Sequence, residues 1–208
     1  CINYNIGFKF IKGDKVIIQN SEVCHIGDII SYVNNNLKSS QYLVFDVLAL
    51  NDKSLNDVIY NTTNINKDFI LQLKTKYNLI WYQHPIQRNK NYHFLTAINK
   101  SDLLKLNGFD YDFSMGFSYD DDEFIYRITH VLKLNIINIG FENTELCGIH
   151  QWHSREYMNF INSTAVGINK VLLGKKKKYY ESNNTYIFLF SYDISDYKTK
   201  LHELFLIK

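Results

Sequence analysis

The sequence is poor in proline and cysteine and contains no long apolar run. Its 208 residues include one proline, nine glycines and three cysteines, which are Cys1, Cys24 and Cys147. An odd number of cysteines without close spacing argues against a disulfide framework and a C-x-x-C zinc site, and is typical of a reducing compartment such as the cytoplasm. No apolar run approaches the roughly 18 residues that a bilayer-spanning helix needs, so we predict no membrane span.

Composition and charge favour a single hydrophobic core and argue against a surface that binds nucleic acid. Hydrophobic residues make up 46% of the chain and aromatic residues 15%, which is enough apolar material for one core. Lysine and arginine total 23 against 21 aspartate and glutamate residues, a formal net charge of +2. Such a balanced charge does not favour a phosphate-binding surface, so nucleic acid is not an expected partner.

Hydrophobic periodicity predicts a mixed α/β architecture. Short β-branched or aromatic runs predict strands over 15–19, 42–50, 78–82, 94–98 and 135–139. Apolar residues at helical spacing predict helices over 26–33, 101–106 and 120–132, and Gly108 is expected to end the second of them.

The remaining segments carry weaker patterns. Residues 51–76 are predicted to form a loop with one short helix. After Arg155 we expect a helix that breaks at Gly174, a flexible tether over 175–184 and a final aromatic segment over 186–192.

A first group of polar and glycine residues surrounds the first predicted strand. Asn5, Gly7, Gly13 and Asp14 precede this strand, and Asn20-Ser21-Glu22 follows it. This order resembles family 2 glycosyltransferases of the GT-A type, where an Asp-x-Asp ends the strand. The resemblance implies a cation, Mn²⁺ or Mg²⁺, held by Glu22 across the two phosphates of a nucleotide-sugar donor, with Asn5 and Asn20 beside that donor. Taken alone, Asn20-Ser21 is better explained as a turn and Glu22 as a solvated acid at a helix start.

The segment NGFDYDFSMGFSYDDDEFIYR, residues 107–127, carries the most specific signal in the chain. It resembles the Gly-Gly-Phe-Asp-Glu and Glu-Asp-x-Asp-Leu block, with its closing Arg, of family 2 glycosyltransferases and of the galactosyltransferase carboxyl-terminal region. Gly108, Phe109 and Asp110 match the first part, where the resemblance implies substrate contacts. The second part is matched by Asp120, Asp121, Glu123 and Arg127.

The acids of this segment suit the chemistry of sugar transfer. An acceptor hydroxyl must lose its proton as it attacks the anomeric carbon, and a nearby carboxylate can take that proton. We expect Asp121 to be this base and Asp120 to bind acceptor hydroxyls. Glu123 and Arg127 stand four residues apart and are expected to pair on the helix. A helix start that is merely capped by acids is the simpler alternative, and the flanking Gly-Phe-Asp with its matching spacing argues against it.

Two histidines follow a predicted strand near residue 149. The related glycosyltransferases carry a histidine in this region that completes the metal shell, and a neutral imidazole is a good Mn²⁺ ligand. His150 is the first choice, and His153 is the second choice as a metal ligand or, with Arg155, as a diphosphate contact. If the stretch stays extended, the two rings point to opposite faces, so we expect at most one to bind. An ordinary half-buried histidine is the competing interpretation.

Aromatic and histidine side chains surround the predicted strand over 94–98; they are Trp81, Tyr82, His84, Tyr92 and His93. The resemblance implies acceptor-binding loops here, and aromatic faces suit the apolar faces of sugar rings. Trp81 and His84 are the assigned substrate contacts, although core packing explains Trp81 equally well.

These observations together predict a hexosyltransferase-type enzyme with a GT-A-like, Rossmann-related mixed sheet flanked by helices. We expect residues 1–155 to form the catalytic region and 156–208 a carboxyl-terminal extension packed on the same domain. The amino-terminal nucleotide-binding half is expected upstream, within a larger multidomain chain. The donor would be a nucleotide sugar and the acceptor a glycan or other hydroxyl compound, with inversion. The alternatives are a catalytically silent module that binds glycans or mediates assembly and, less favoured, a metal-dependent hydrolase.

Overall fold

The computed structural model describes residues 2–156 and 163–183. The helices, numbered in chain order, are α1 Ile2–Lys9, α2 Ile29–Asn36, α3 Ser54–Asn61, α4 Lys67–Lys76, α5 Lys100–Leu106, α6 Asp120–Tyr126, α7 Phe141–Thr144 and α8 Ser163–Asn183. The strands are β1 Lys15–Gln19, β2 Val23–Ile26, β3 Gln41–Phe45, β4 Val47–Ala49, β5 Ile80–Gln83, β6 Leu95–Asn99, β7 Asn135–Ile139 and β8 Cys147–His150. No helix in these residues combines the length and the apolar character that a bilayer crossing requires.

The strands form two mixed sheets, where one sheet was predicted. The first sheet has the order β1-β6-β3-β7, with β3 and β7 parallel and the other pairs antiparallel. The second has the order β2-β8-β4-β5, with β4 and β8 parallel and the other pairs antiparallel. The predicted mixed α/β architecture with flanking helices is therefore confirmed, in a two-sheet form.

The change of sheet occurs at Asp46, inside the run predicted as one strand over 42–50. β3 before Asp46 belongs to the first sheet, and β4 after it belongs to the second. Asp46 is 3% exposed, and its carboxylate accepts a hydrogen bond from the Phe141 backbone N–H at 2.8 Å. Burial raises the pKa of the Asp46 carboxyl. Because both halves of the run are buried, the apolar residues on the two sides of Asp46 give the pattern of one strand, and periodicity does not show the switch.

Two further predictions about local structure are corrected. Ile26 ends β2, and the helix predicted from that residue begins only at Ile29. Gly27 has φ +80°, and Asp28 then caps α2 by accepting the Ser31 N–H at 3.0 Å. The predicted loop over 51–76 contains two helices, α3 and α4.

The described residues divide into two compact units, each with its own core. We call residues 13–102 and 134–156 the strand unit, since they contain all eight described strands, and residues 2–12, 103–133 and 163–183 the helical unit. The predicted boundary between a catalytic region and an extension at residue 155 stays a prediction. In the strand unit, one apolar cluster packs α2 against β3 and β6, and another packs α3 and α4 against β4 and β8.

A buried ion pair organises the helical unit. Glu123 on α6 and Arg127 are both fully buried, and Arg127 Nη2 donates to Glu123 Oε2 at 2.7 Å, so the predicted pairing is confirmed. The guanidinium also donates to the carbonyl oxygens of Leu106 and Gly108, while the Tyr180 hydroxyl donates to Glu123 Oε1 at 2.8 Å. The pair therefore ties α6 to the 106–108 segment and to α8.

Helix α8 continues through the predicted break at Gly174. Its buried residues recur every three or four positions along one face: Asn169, Leu173, Lys176 and Tyr180. Lys176 pairs with Asp110 and Asp112, both buried, and these contacts hold the helix across the glycine and the lysine run. The predicted tether is thus wrong for 175–183. Residues 157–162 and the aromatic segment 186–192 lie outside the described residues.

Arg127→Met is expected to lower the free energy of unfolding by about 3–5 kcal/mol, since it leaves Glu123 charged and buried without its partner. Urea denaturation followed by circular dichroism measures the change. The double variant Glu123→Leu/Arg127→Met should recover part of the loss because it removes both charges. An unchanged midpoint for Arg127→Met would show that the pair contributes nothing.

Two glycine substitutions are expected to change stability in opposite directions. A Cβ at Gly174 meets no atom within 4 Å, so Gly174→Ala should stabilise the protein by roughly 0.5–1 kcal/mol. A Cβ at Gly116 would lie 2.6 Å from the Ala165 carbonyl oxygen, so Gly116→Ala should destabilise it by roughly 1–3 kcal/mol. Thermal unfolding compares the two, and equal shifts in the same direction would contradict this account of α8.

Candidate functional site

The three residues predicted as metal ligands come together in the strand unit. Glu22, His150 and His153 each offer one ligand atom, and these atoms all lie within 4.8 Å of one another. His150 is buried, while Glu22 and His153 are partly exposed. We call these residues the Glu-His-His cluster.

Strand pairing places Glu22 beside His150. β2 runs antiparallel to β8 with Val23 opposite His150, and Glu22 directly precedes β2. The Gln151 N–H extends the ladder by donating to the Glu22 carbonyl at 2.9 Å. β8 lies between β2 and β4, and Gly148 leaves room for both, since a Cβ there would come within 2.8 Å of Val23 and 3.1 Å of Val47.

The Glu22 carboxylate is held in its charged form. His150 Nε2 lies 3.6 Å from Oε1, Asn20 Nδ2 donates to Oε1 at 3.0 Å, and Ser21 Oγ donates to Oε2 at 3.0 Å. The interaction with His150 lowers the pKa of Glu22 to about 2, aided by the Ser21 and Asn20 hydrogen bonds and opposed by partial burial. Glu22 is therefore ionised at neutral pH and need not release a proton to bind a cation.

Both histidines face the same point, contrary to the expectation of opposite faces. β8 ends at His150, and residues 151–155 belong to no strand, so strand alternation does not apply to His153. The two ring centroids lie 5.3 Å apart. His153 Nδ1 lies 3.1 Å from the Ser154 carbonyl oxygen, and donation to this oxygen leaves the lone pair on Nε2 for a ligand.

The donor set fits a divalent transition metal. Metal–nitrogen and metal–oxygen bonds of ~2.0–2.2 Å place two ligands of one ion roughly 3–4.4 Å apart, so the cluster needs only a small contraction. Mg²⁺ prefers oxygen ligands, whereas two imidazoles and a carboxylate suit Mn²⁺. Of the two predicted cations, the chemistry of the cluster favours Mn²⁺, and three protein ligands leave coordination positions open.

A cavity of about 600 Å³ adjoins the cluster. It is lined by Ala49, Leu50, Asn51, Ile80, Tyr82, Arg88, His150, Gln151, Trp152, His153 and Arg155. Ala49 and His150 are register partners at the carboxyl ends of parallel strands β4 and β8, the edge where open α/β sheets bind ligands. A molecule in the cavity would therefore contact two members of the Glu-His-His cluster.

Among the predicted substrate contacts of the strand unit, Arg155 lines this cavity, while Trp81 and His84 do not. Trp81 is 5% exposed and belongs to the core beneath α3 and α4, as the packing alternative held. His84 Nδ1 accepts the N–H groups of Ile86 and Gln87, both at 3.2 Å. Tyr82, rather than Trp81, lines the cavity. Because successive side chains of a strand point to opposite faces, a buried Trp81 predicts that Tyr82 points to the other face.

The predicted ligand contacts of the helical unit make internal contacts. Phe109 is fully buried with its ring centroid 4.2 Å from that of Phe124, and Asp110 is buried against Lys176. Burial raises the pKa of Asp110 to about 7, with a contribution from nearby Glu123 that Lys176 partly offsets. Asn5 exchanges two hydrogen bonds with the Phe109 backbone, at 2.6 and 2.8 Å. These contacts give Asn5, Phe109 and Asp110 a structural role, in which they position the segments of the helical unit.

Three other predicted residues keep accessible surface or line a cavity. Asp120 and Asp121 begin α6 and are partly exposed. Gly108, with φ +68°, lines a second cavity of about 220 Å³ within the helical unit, to which Asn5 also contributes. The predicted roles of Asp120, Asp121 and Gly108 stay predictions.

Comparison with known proteins assigns neither a family nor a function to this chain. The sequence matches no model of a known protein family. A search of curated proteins also found no significant match.

Replacing Asn20 by aspartate is expected to strengthen cation binding. The new carboxylate would add a negative charge where Asn20 now lies 3.0 Å from Glu22, so Asn20→Asp should bind Mn²⁺ on the order of tenfold more tightly, about 1.4 kcal/mol. Isothermal titration calorimetry measures the affinity, with neutral Asn20→Ala as the matched control. If Asn20→Asp binds Mn²⁺ no more tightly than the wild type, residue 20 does not belong to the site.

Proposed function

We propose that this protein is a metal-assisted glycosyltransferase that transfers a sugar from a nucleotide diphosphate donor to a hydroxyl acceptor, with inversion. The observation that carries the proposal is the Glu-His-His cluster, whose three ligand atoms lie within 4.8 Å of one another. The same three residues are the metal ligands that the resemblance to family 2 glycosyltransferases implies. Their convergence beside a cavity of about 600 Å³ supports that assignment.

In this proposal Glu22, His150 and His153 hold Mn²⁺. A bound cation would neutralise the charge that develops on the leaving diphosphate. Glu22, with its pKa lowered to about 2, is ionised and would supply the negative charge that holds this cation. The carbonyl contact of His153 orients its ring, as a hydrogen bond from the remote nitrogen does in metal sites.

The cavity walls suit a sugar or a molecule of similar character. Trp152 contributes an aromatic side chain to the lining, and aromatic faces pack against the apolar faces of sugar rings. Asn51, Gln151 and Arg155 supply polar groups among the apolar walls. A few polar groups in a largely apolar cavity are the usual composition of a small-molecule site.

The proposal assigns proton abstraction to Asp121. Its carboxylate would accept the proton of the acceptor hydroxyl as the new glycosidic bond forms and the bond to the diphosphate breaks. The buried Glu123–Arg127 pair fixes the helix that carries Asp121, so the carboxylate starts from a defined backbone position. The same burial removes Glu123 as a ligand for the hydrolase alternative, which relied on the acids over 120–123.

Metal binding is the first test. Calorimetric titration with Mn²⁺ should show one site in the wild-type protein, and Glu22→Gln, His150→Ala and His153→Ala should each weaken it by at least about tenfold. His25→Ala is the matched control, because His25 is exposed on neighbouring β2 and lies outside the cluster. Saturable Mn²⁺ binding that none of the three variants alters would remove the basis of the proposal.

Turnover is the second test. With the expected upstream nucleotide-binding half present, a donor screen that measures nucleoside diphosphate release should find a substrate, and Asp121→Asn should lower the rate roughly 10²–10⁴-fold. Asp122→Asn, the adjacent acid without an assigned role, is the control. Near wild-type turnover by Asp121→Asn would refute the base assignment.

Two other outcomes of this screen would favour the alternatives. No Mn²⁺-dependent binding of any nucleoside diphosphate would favour a catalytically silent module that binds glycans or mediates assembly. Release of free sugar or phosphate without an acceptor would favour a hydrolase.

A further inference from the structure

Arg88 brings a positive charge to the lining of the cavity. Arg88 lines the cavity, and its Nη1 donates to the Tyr82 carbonyl oxygen at 2.7 Å. Within residues 2–156 and 163–183, no carboxylate forms an ion pair with Arg88. Since a guanidinium has five N–H donors, most of them remain available to a ligand.

The charge of the cavity lining is positive. Arg88 and Arg155 are its charged residues, and the lining contains neither aspartate nor glutamate. The ionised Glu22 of the cluster lies 3.6 Å from His150 Nε2, but it does not line the cavity. A cavity with this lining favours a ligand that carries a negative group.

The local structure holds Arg88 in a defined orientation. His84 and Arg88 exchange backbone hydrogen bonds at 3.2 and 3.0 Å, which closes a tight turn around Pro85. The guanidinium lies 4.3 Å from the centroid of the Tyr82 ring and 5.9 Å from that of Phe94. A planar guanidinium fixed by stacking loses little freedom on binding and matches a two-oxygen partner such as phosphate or carboxylate.

The apolar part of the cavity lining favours a ligand that also has an apolar or planar portion. Leu50, Ile80 and Trp152 contribute apolar surface to the cavity that also contains Arg88. An inorganic ion would leave this surface in contact with water, whereas an organic ion would cover it. The best fit is therefore an oxyanion attached to a ring or hydrocarbon group.

We propose that Arg88 anchors the oxyanion group, phosphate or carboxylate, of an organic ligand in this cavity. The anchor needs no cation, so this inference goes beyond the proposed sugar transfer and is separate from cation-dependent binding of a donor diphosphate.

The test is a titration in the presence of a chelator, so that no cation contributes. Phenyl phosphate, benzoate and inorganic phosphate are the probes, and calorimetry measures their affinity. Wild-type protein should bind phenyl phosphate or benzoate more tightly than inorganic phosphate, and the better of the two identifies the acidic group. Arg88→Met should weaken this binding by at least about tenfold, and Arg88→Lys should retain only part of the affinity.

Lys90→Met is the matched control, because Lys90 lies two positions away, is exposed and does not line the cavity. Circular dichroism verifies that each variant folds, and Arg88→Lys keeps the charge should Arg88→Met unfold. The inference is overturned if Arg88→Met and Arg88→Lys bind as tightly as the wild type, or if Lys90→Met loses as much affinity. Absence of saturable binding of both aromatic probes at millimolar concentrations also overturns it.

The outcome is separable from that of the proposed function. Binding that requires Mn²⁺ and is lost in Glu22→Gln, but is unchanged in Arg88→Met, would overturn the Arg88 anchor and leave the glycosyltransferase proposal in place. Binding that persists with chelator, in a protein that shows no Mn²⁺ site and no sugar transfer, would support the anchor and refute the enzyme.

Discussion

The antiparallel pairing of β2 with β8 is the contact on which the candidate site depends. It brings Cys24 against Ile149, 125 residues further along the chain, and the same register sets Glu22 beside His150. Neither segment contains the cluster by itself. Because backbone hydrogen bonds fix the register, a slip of one residue would turn every side chain of β2 to the other face and separate the carboxylate from the imidazole.

In the helical unit, buried side-chain hydrogen bonds and ion pairs connect distant segments. In the strand unit, backbone hydrogen bonds between strands make these connections. Glu123 and Arg127 are fully buried, and their hydrogen bonds reach the 106–108 segment and Tyr180 on α8. Lys176 joins the same helix to Asp110 and Asp112. Such networks stabilise only when every member is satisfied, so this unit depends on a few charged side chains.

Features that depend on neighbouring residues could be predicted from the sequence, and features that depend on distant contacts could not. β1 was predicted with its observed bounds, as was the pairing of Glu123 with Arg127, since spacing along the chain decides both. The metal-ligand candidates followed from a motif resemblance. The sheet switch at Asp46 and the continuation of α8 through Gly174 depend on tertiary contacts. Arg88 belongs to no periodic pattern, and only the folded turn shows that it faces a cavity.

The missing side chain at Gly148 sets how closely β2 and β4 approach the strand between them. A larger residue would push against Val23 and Val47 and widen the second sheet at the strands that present Glu22 and His150. The spacing of the Glu-His-His cluster therefore depends on a position that has no side chain and takes no part in the cluster.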